Sequence, residues 1–176
     1  MTTIRPVVYF LCTGNAARSV MAATMLRELV DTIDVRGGGT HTIEGLPMSV
    51  RTRAALARHD LRDHSHRSHQ MTASDVAEAD LVVAMEPMHV TWIRRNHPEG
   101  GRITATIRRL VRDLEPAATG LCHGDLGARI AAMDLAEVDV EPWETVVDPA
   151  SGDQIVFDSC ADELMDLVGS LRRALV

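Results

Sequence analysis

The sequence predicts a three-layer α/β/α domain built on a four-stranded parallel sheet. Two apolar runs, V-V-Y-F-L (7–11) and L-V-V-A-M (81–85), are too short for core helices and read as buried strands. Segments with helical spacing follow both runs. That alternation forces parallel pairing, because each crossover needs a helix to bring the chain back. Between the first strand and the first helix lies C-T-G-N-A-A-R-S (12–19), and ligands in such sheets bind beyond the carboxyl ends of the strands. Fold class and motif therefore point to the same edge of the sheet.

Taken in order, Thr2 to Leu11 is expected as the first strand and Arg18 to Thr32 as the first helix, apolar at Val20, Met21, Met25, Leu29 and Val30. Val35 to His41 reads as a second strand, and its R-G-G-G is expected to pass close to the 12–19 loop. Thr42 to Met48 is a loop, Pro47 to Arg58 a helix burying Ala55 and Leu56, and His59 to Met71 a polar connector. Thr72 is the expected N-cap of a helical turn over S-D-V-A-E-A-D. Leu81 to Met85 is the third strand, and Glu86 to Asn96 a helix with Pro87 near its start. Arg102 to Thr106 is the fourth strand, leading into helical I-R-R-L-V-R-D-L. A final amphipathic helix runs from Gln154 to Leu175, its stripe formed by Ile155, Cys160, Leu164, Leu167, Val168 and Leu171.

Composition narrows the class. A chain of 176 residues, 45% hydrophobic, suits one well-buried domain spanning 1–176 rather than two. Three cysteines without framework spacing argue against a disulfide-stapled secreted fold, and no apolar run approaches membrane-spanning length, so a cytoplasmic location is expected. The net charge of -7 argues against nucleic acid as main partner. No cofactor is implied. His64, His66 and His69 lie close together, but no cysteine or acidic motif stands at matching spacing, so they are not read as a metal site.

The chemistry concentrates in residues 12–19. A strand, a tight loop and a helix opening place free backbone N–H groups and the positive end of a helix dipole around one point, which makes a nest for a tetrahedral oxyanion. Cys12 stands at its mouth, where the field favours thiolate, and so reads as a nucleophile. Arg18 completes C-x5-R and offers a planar fork to two oxygens of a phosphate. Ser19 can donate to the sulfur, and Gly14 and Asn15 suit awkward backbone angles.

C-T-G-N-A-A-R-S resembles the phosphate loop of the low-molecular-weight protein tyrosine phosphatases, usually C-x-G-N-x-C-R-S-P, whose loop arsenate reductases share. The resemblance implies a flavodoxin-like phosphotyrosine phosphatase I architecture, with Cys12 as nucleophile, Arg18 as phosphate clamp, Asn15 shaping the loop and Ser19 stabilising the thiolate. Thr13, Gly14, Ala16 and Ala17 complete the phosphate-binding loop. Ala17 replaces the family's second cysteine, so an intraloop disulfide cannot form, and Val20 replaces its proline. Similarity continues through G-T at Gly39 and Thr40, through H-R-S at 66–68, which implies a structural role there, and through A-D-L-V-V-A-M-E-P-M-H. It breaks after Glu115. Residues of about 116–145 form an insertion with no assigned role, and the likeness resumes at V-V-D-P.

A leaving oxygen must be protonated as the thiolate displaces it, and Asp148, stiffened by Pro149, matches the family's D-P acid. The same carboxylate can then take a proton from water. Cys122 and Cys160 read as structural. The implied activity is a phosphomonoesterase working through phosphocysteine on a phosphorylated protein or small phosphoester, foremost phosphotyrosine, as a monomer or weak dimer. Two alternatives stay open: a small-thiol-dependent arsenate reductase and a non-catalytic anion-binding module. The aromatic walls that hold a phenyl ring in the family are missing, with Ile43, Glu44, Ala150 and Ser151 in their places. Ala16 is neither the bulky aliphatic of tyrosine-directed members nor the threonine of phosphoarginine-directed ones. Trp143 and Tyr9 are possible substitute walls, Tyr9 reading better as core.

Overall fold

The structure, a computed structural model, describes residues 5–117 and 126–176. In chain order the elements are β1 (Val7–Cys12), α1 (Arg18–Leu29), β2 (Asp34–Gly39), α2 (Val50–Ala57), α3 (Ala73–Glu78), β3 (Leu81–Ala84), α4 (Pro87–Asn96), β4 (Thr104–Thr106), α5 (Ile107–Asp113), α6 (Leu126–Ala132) and α7 (Gln154–Leu175). Short 3-10 helices occupy Pro98–Ile103 and Pro142–Glu144. The four strands form one parallel sheet in the order β2-β1-β3-β4, with Cys12 opposite Gly39 and Leu11 opposite Ala84. The chain leaves β1 toward one edge to form β2 and later returns to the other side for β3. That reversal puts the topological switch point, where parallel sheets bind ligands, at the carboxyl ends of β1 and β3.

Apolar side chains fill both faces of the sheet. On one, Val8, Phe10 and Val83 pack with Met21 and Met25 of α1, Leu110 of α5, and Leu164, Val168 and Leu171 of α7. On the other, Tyr9, Leu11 and Val82 meet Met71, Val76 of α3 and Ile93 of α4. These are the three layers expected from the strand and helix alternation. Tyr9 is core, as expected, though its hydroxyl donates to Asp75 Oδ1 at 2.8 Å.

Several boundaries differ from the sequence reading for local reasons. β1 begins at Val7 and ends on Cys12, so the nucleophile candidate is the last strand residue; residues 1–4 lie outside those described. α1 stops at Leu29, because Val30 turns extended and sends the chain back to β2. α2 starts at Val50 rather than Pro47, since the Ser49 hydroxyl accepts from Thr52 N at 3.0 Å and caps the helix there. Thr72 caps α3 with a reciprocal Asp75 box. The first residues expected in the fourth strand belong instead to the 3-10 helix, leaving a strand of Thr104–Thr106. α7 keeps its expected limits, but Ile155 is 72% exposed and Phe157, Ala161, Ala174 and Leu175 join the stripe. Of the segment expected as an insertion, 118–125 and with them Cys122 lie outside the described residues. Among the described residues no helix is long and apolar enough to cross a membrane.

Candidate active site

The loop after β1 is folded by Asn15. Its φ of 49° is left-handed, a conformation asparagine tolerates better than most residues; Gly14, expected to share that role, has no positive φ. Asn15 is buried, and its carbonyl and both side-chain polar atoms are used. Its carbonyl accepts from His66 Nε2 at 2.9 Å and Ser68 Oγ at 3.1 Å, its Oδ1 accepts from His69 N at 3.0 Å, and its Nδ2 donates to Ser19 Oγ at 3.0 Å. The connector 66–69 therefore serves as the outer wall of the loop. His66 and His69 are spent on these contacts and on Glu44 and Asp75. Among the described residues no group of three or more His, Cys, Asp or Glu is placed to hold a metal.

The glycine-rich second strand does pass close to the loop. Thr40 N donates to Cys12 O at 3.0 Å and His41 N to Thr13 O at 2.9 Å. A Cβ on Gly39 would collide with Thr42 Oγ1 and lie 2.6 Å from Thr13 O, so only glycine fits. Ala16 O accepts from Thr52 Oγ1 at 2.8 Å, tying the loop to α2. Ala17 has no side chain to cap α1, and the first turn of that helix carries no acidic residue. The first N–H groups of α1 are thus left for an external anion.

Cys12 is 3% exposed, and its Sγ lies 3.0 Å from Ser19 Oγ. Since Asn15 Nδ2 already donates to that hydroxyl oxygen, the hydroxyl hydrogen is free to point at the sulfur. Arg18 is 1% exposed and held from three directions: Nη1 donates to Glu86 Oε1 at 2.8 Å and to Val146 O at 2.9 Å, and Nη2 to Asp148 Oδ2 at 2.8 Å. The structure therefore brings Arg18 and Asp148 together across 130 residues of sequence. Asp148 stays partly open, its side chain 44% exposed, and its Oδ1 accepts from Ala150 N at 3.1 Å. Trp143 is not free to wall a pocket; its ring lies 4.1 Å from the Arg112 guanidinium carbon and 5.6 Å from that of Arg109. Cys160 is buried, and burial pushes its thiol up to about 12, so it is inert at neutral pH.

Two site residues escaped the sequence reading. Glu86 comes two residues after β3, at the carboxyl end of a strand whose place beside β1 only the fold shows. His89, one turn into α4, is fully buried with Nε2 3.0 Å from Thr13 Oγ1 and 3.5 Å from Glu86 Oε1. Burial first, and the charge of Arg18 second, pull its pKa down from 6.5 to about 3, so the ring is neutral. Below pH 6.5 the unfolded chain binds a proton here that the folded chain refuses, so this residue lowers stability as pH falls between 6.5 and about 3. At pH 5 the loss is about 2 kcal/mol. In His89→Gln, whose amide can still reach Thr13, that acid-dependent loss is expected to vanish. Urea unfolding of both proteins at neutral pH and at pH 5 checks this, and equal acid sensitivity would contradict it.

Residues 7–123 match the sequence profile of the family described as low molecular weight phosphotyrosine protein phosphatase. A probable low molecular weight protein-tyrosine-phosphatase, EpsP, of Ralstonia nicotianae is 31% identical over 77% of this chain and 92% of its own. A low molecular weight protein-tyrosine-phosphatase of Streptomyces coelicolor is 38% identical over 68% of this chain and 73% of its own. Among solved structures, the YwlE arginine phosphatase of Geobacillus stearothermophilus superposes with a TM-score of 0.73 at 26% identity, covering 94% of this chain and 90% of that one. The Erwinia amylovora tyrosine phosphatase amsI gives 0.76 over 99% and 96%, and at 15% identity shares the fold alone.

Proposed function

The chain belongs to the low molecular weight phosphotyrosine protein phosphatase family, and from that premise we propose that it hydrolyses phosphotyrosine on proteins through a phosphocysteine formed on Cys12. The observation that carries the reading is the convergence of Cys12, Ser19, Arg18 and Asp148 on one loop, through contacts of 2.8 to 3.0 Å. Arg18 and the N-terminus of α1 receive the phosphoryl oxygens, and the dianion takes the place of Asp148 on Nη2. The Cys12 thiolate attacks phosphorus, the bond to the leaving oxygen breaks, and Asp148 gives that oxygen its proton. Asp148 then takes a proton from water as the water attacks phosphocysteine, releasing phosphate and the thiolate. Glu86 keeps Arg18 oriented throughout.

Substrate choice rests on the family rather than on an aromatic wall. Ile43 and Val147, 72% and 66% exposed, offer aliphatic surface instead. A free thiolate nucleophile needs a reducing compartment, which favours the cytoplasm as the place of action. The test is hydrolysis of p-nitrophenyl phosphate and of phosphotyrosine and phosphoarginine peptides by the wild type and Cys12→Ser. Turnover that Cys12→Ser abolishes, with the phosphotyrosine peptide preferred, supports the proposal. Faster phosphoarginine hydrolysis would reassign the substrate, and absence of turnover would refute the enzyme.

A further inference from the structure

Among the described residues ahead of Asp148, the stretch 135–145 is tied down by arginines. Arg94 of α4 donates to Leu135 O and Val138 O, both at 2.6 Å. Arg109 of α5 donates to Asp139 O at 2.8 Å and grips Glu144 with two bonds, 2.5 Å to Oε1 and 3.1 Å to Oε2. Arg108 donates to Thr145 O at 3.1 Å, and Thr106 Oγ1, at the end of β4, donates to Glu144 Oε2 at 2.6 Å. Glu144 is fully buried. Immediately beyond it Val146 bridges to the site, its N–H donating to Met85 O at 2.8 Å and its carbonyl accepting from Arg18 Nη1 at 2.9 Å. Asp148 is two residues further on, so its Cα stays within about 7 Å of that of Val146.

We propose that residues 135–146 form a fixed rail and that Glu144 is the positioning residue by which the insertion holds Asp148 at Arg18. A buried carboxylate with two guanidinium bonds, a hydroxyl bond and a bond from Glu141 N at 2.8 Å has no alternative partners, so the backbone that carries it has one position. An acid on a free loop would lose much of its effect, because proton transfer requires hydrogen-bond reach to the leaving oxygen. The rail also meets Arg18 at the Val146 carbonyl, but Glu86 holds the same Nη1 independently of it. This inference rests on Asp148 being the acid.

Its test separates positioning from mere folding by leaving group. p-Nitrophenol departs readily without a proton and phenol does not. In Glu144→Gln, whose amide cannot accept all these donors, kcat/KM, which reads the steps up to departure of the leaving group, is expected to fall about tenfold with phenyl phosphate and less than about threefold with p-nitrophenyl phosphate. Arg108→Ala, which frees Thr145 O, gives up the ion pair with Glu163 of α7 and leaves the buried Glu144–Arg109 pair intact, should shift the ratio the same way and decides the matter if Glu144→Gln does not fold. Adding Glu144→Gln to Asp148→Asn should cost phenyl phosphate turnover nothing further. Equal loss on both substrates, or additive loss in the double variant, would overturn the rail. A wild type without turnover would refute the phosphatase reading itself. The rail would then be judged by amide exchange at 145–150, which Glu144→Gln should speed while α1 stays protected; unchanged exchange would overturn it.

Discussion

Replacing Arg18 by lysine is expected to lower kcat/KM on p-nitrophenyl phosphate by about a thousandfold, with the protein still folded. Arg18 satisfies Glu86, Val146 O and Asp148 with one rigid plane, at 2.8, 2.9 and 2.8 Å. A lysine ammonium is a point donor and cannot hold Glu86 and Val146 O in that plane while also gripping two phosphoryl oxygens. It does keep a positive charge beside Glu86, whose side chain is only 20% exposed. That matters for the choice of variant, because alanine would leave a half-buried carboxylate unpaired and confuse stability with catalysis. Steady-state kinetics with a circular-dichroism check on folding measure the effect. A loss below about tenfold would mean that the guanidinium is not the phosphate clamp.

Asp148→Asn is expected to lower kcat by about 10² to 10⁴, yet to bind inorganic phosphate more tightly than the wild type. The two effects have separate causes. The kinetic loss is that of the acid and base, which asparagine cannot replace. The gain in affinity follows from the ligand-free geometry, where the Asp148 carboxylate occupies Arg18 Nη2 at 2.8 Å and an incoming dianion must displace it. Because Asp148 is 44% exposed, the competition it offers is modest, and a two- to fivefold tightening, about 0.5 to 1 kcal/mol, is the expected scale. Phosphate inhibition constants for the two proteins measure it. Weaker phosphate binding by the variant would show that Asp148 assists anion binding rather than competing for it.

Much of this candidate site was readable in the chain because its residues are local. Cys12, Arg18 and Ser19 sit within one strand-loop-helix turn, and the short buried runs at 7–11 and 81–85, each followed by a helical period, are enough to require parallel strands. Gly39 was legible in kind, since glycines in a strand signal a close approach, and the fold supplies the partners, Thr13 and Thr42. Illegible parts depend on contacts far along the sequence. Glu86 and His89 look like the polar opening of a surface helix, and only the adjacency of β1 and β3 turns them inward. Glu144 reads as a solvated charge in an acidic stretch, and its burial follows from Arg109, 35 residues earlier. Arginine bonds to backbone carbonyls leave no residue-type signature at the carbonyl end, so the insertion gave no hint of its attachment. Helix limits moved for a simpler reason: a cap such as Ser49 overrides the hydrophobic period.

Covalent transfer to one sulfur is the step on which the proposed chemistry turns. Rapid mixing of Asp148→Asn with p-nitrophenyl phosphate, acid quenching and peptide mapping by mass spectrometry would test it directly, since release of this leaving group proceeds without the acid while hydrolysis of the intermediate stalls without the base. The predicted result is a burst of p-nitrophenol equal to the enzyme concentration, with the phosphoryl group on Cys12. Turnover with no phosphorylated Cys12 peptide, or a phosphoryl group recovered on another residue, would contradict it.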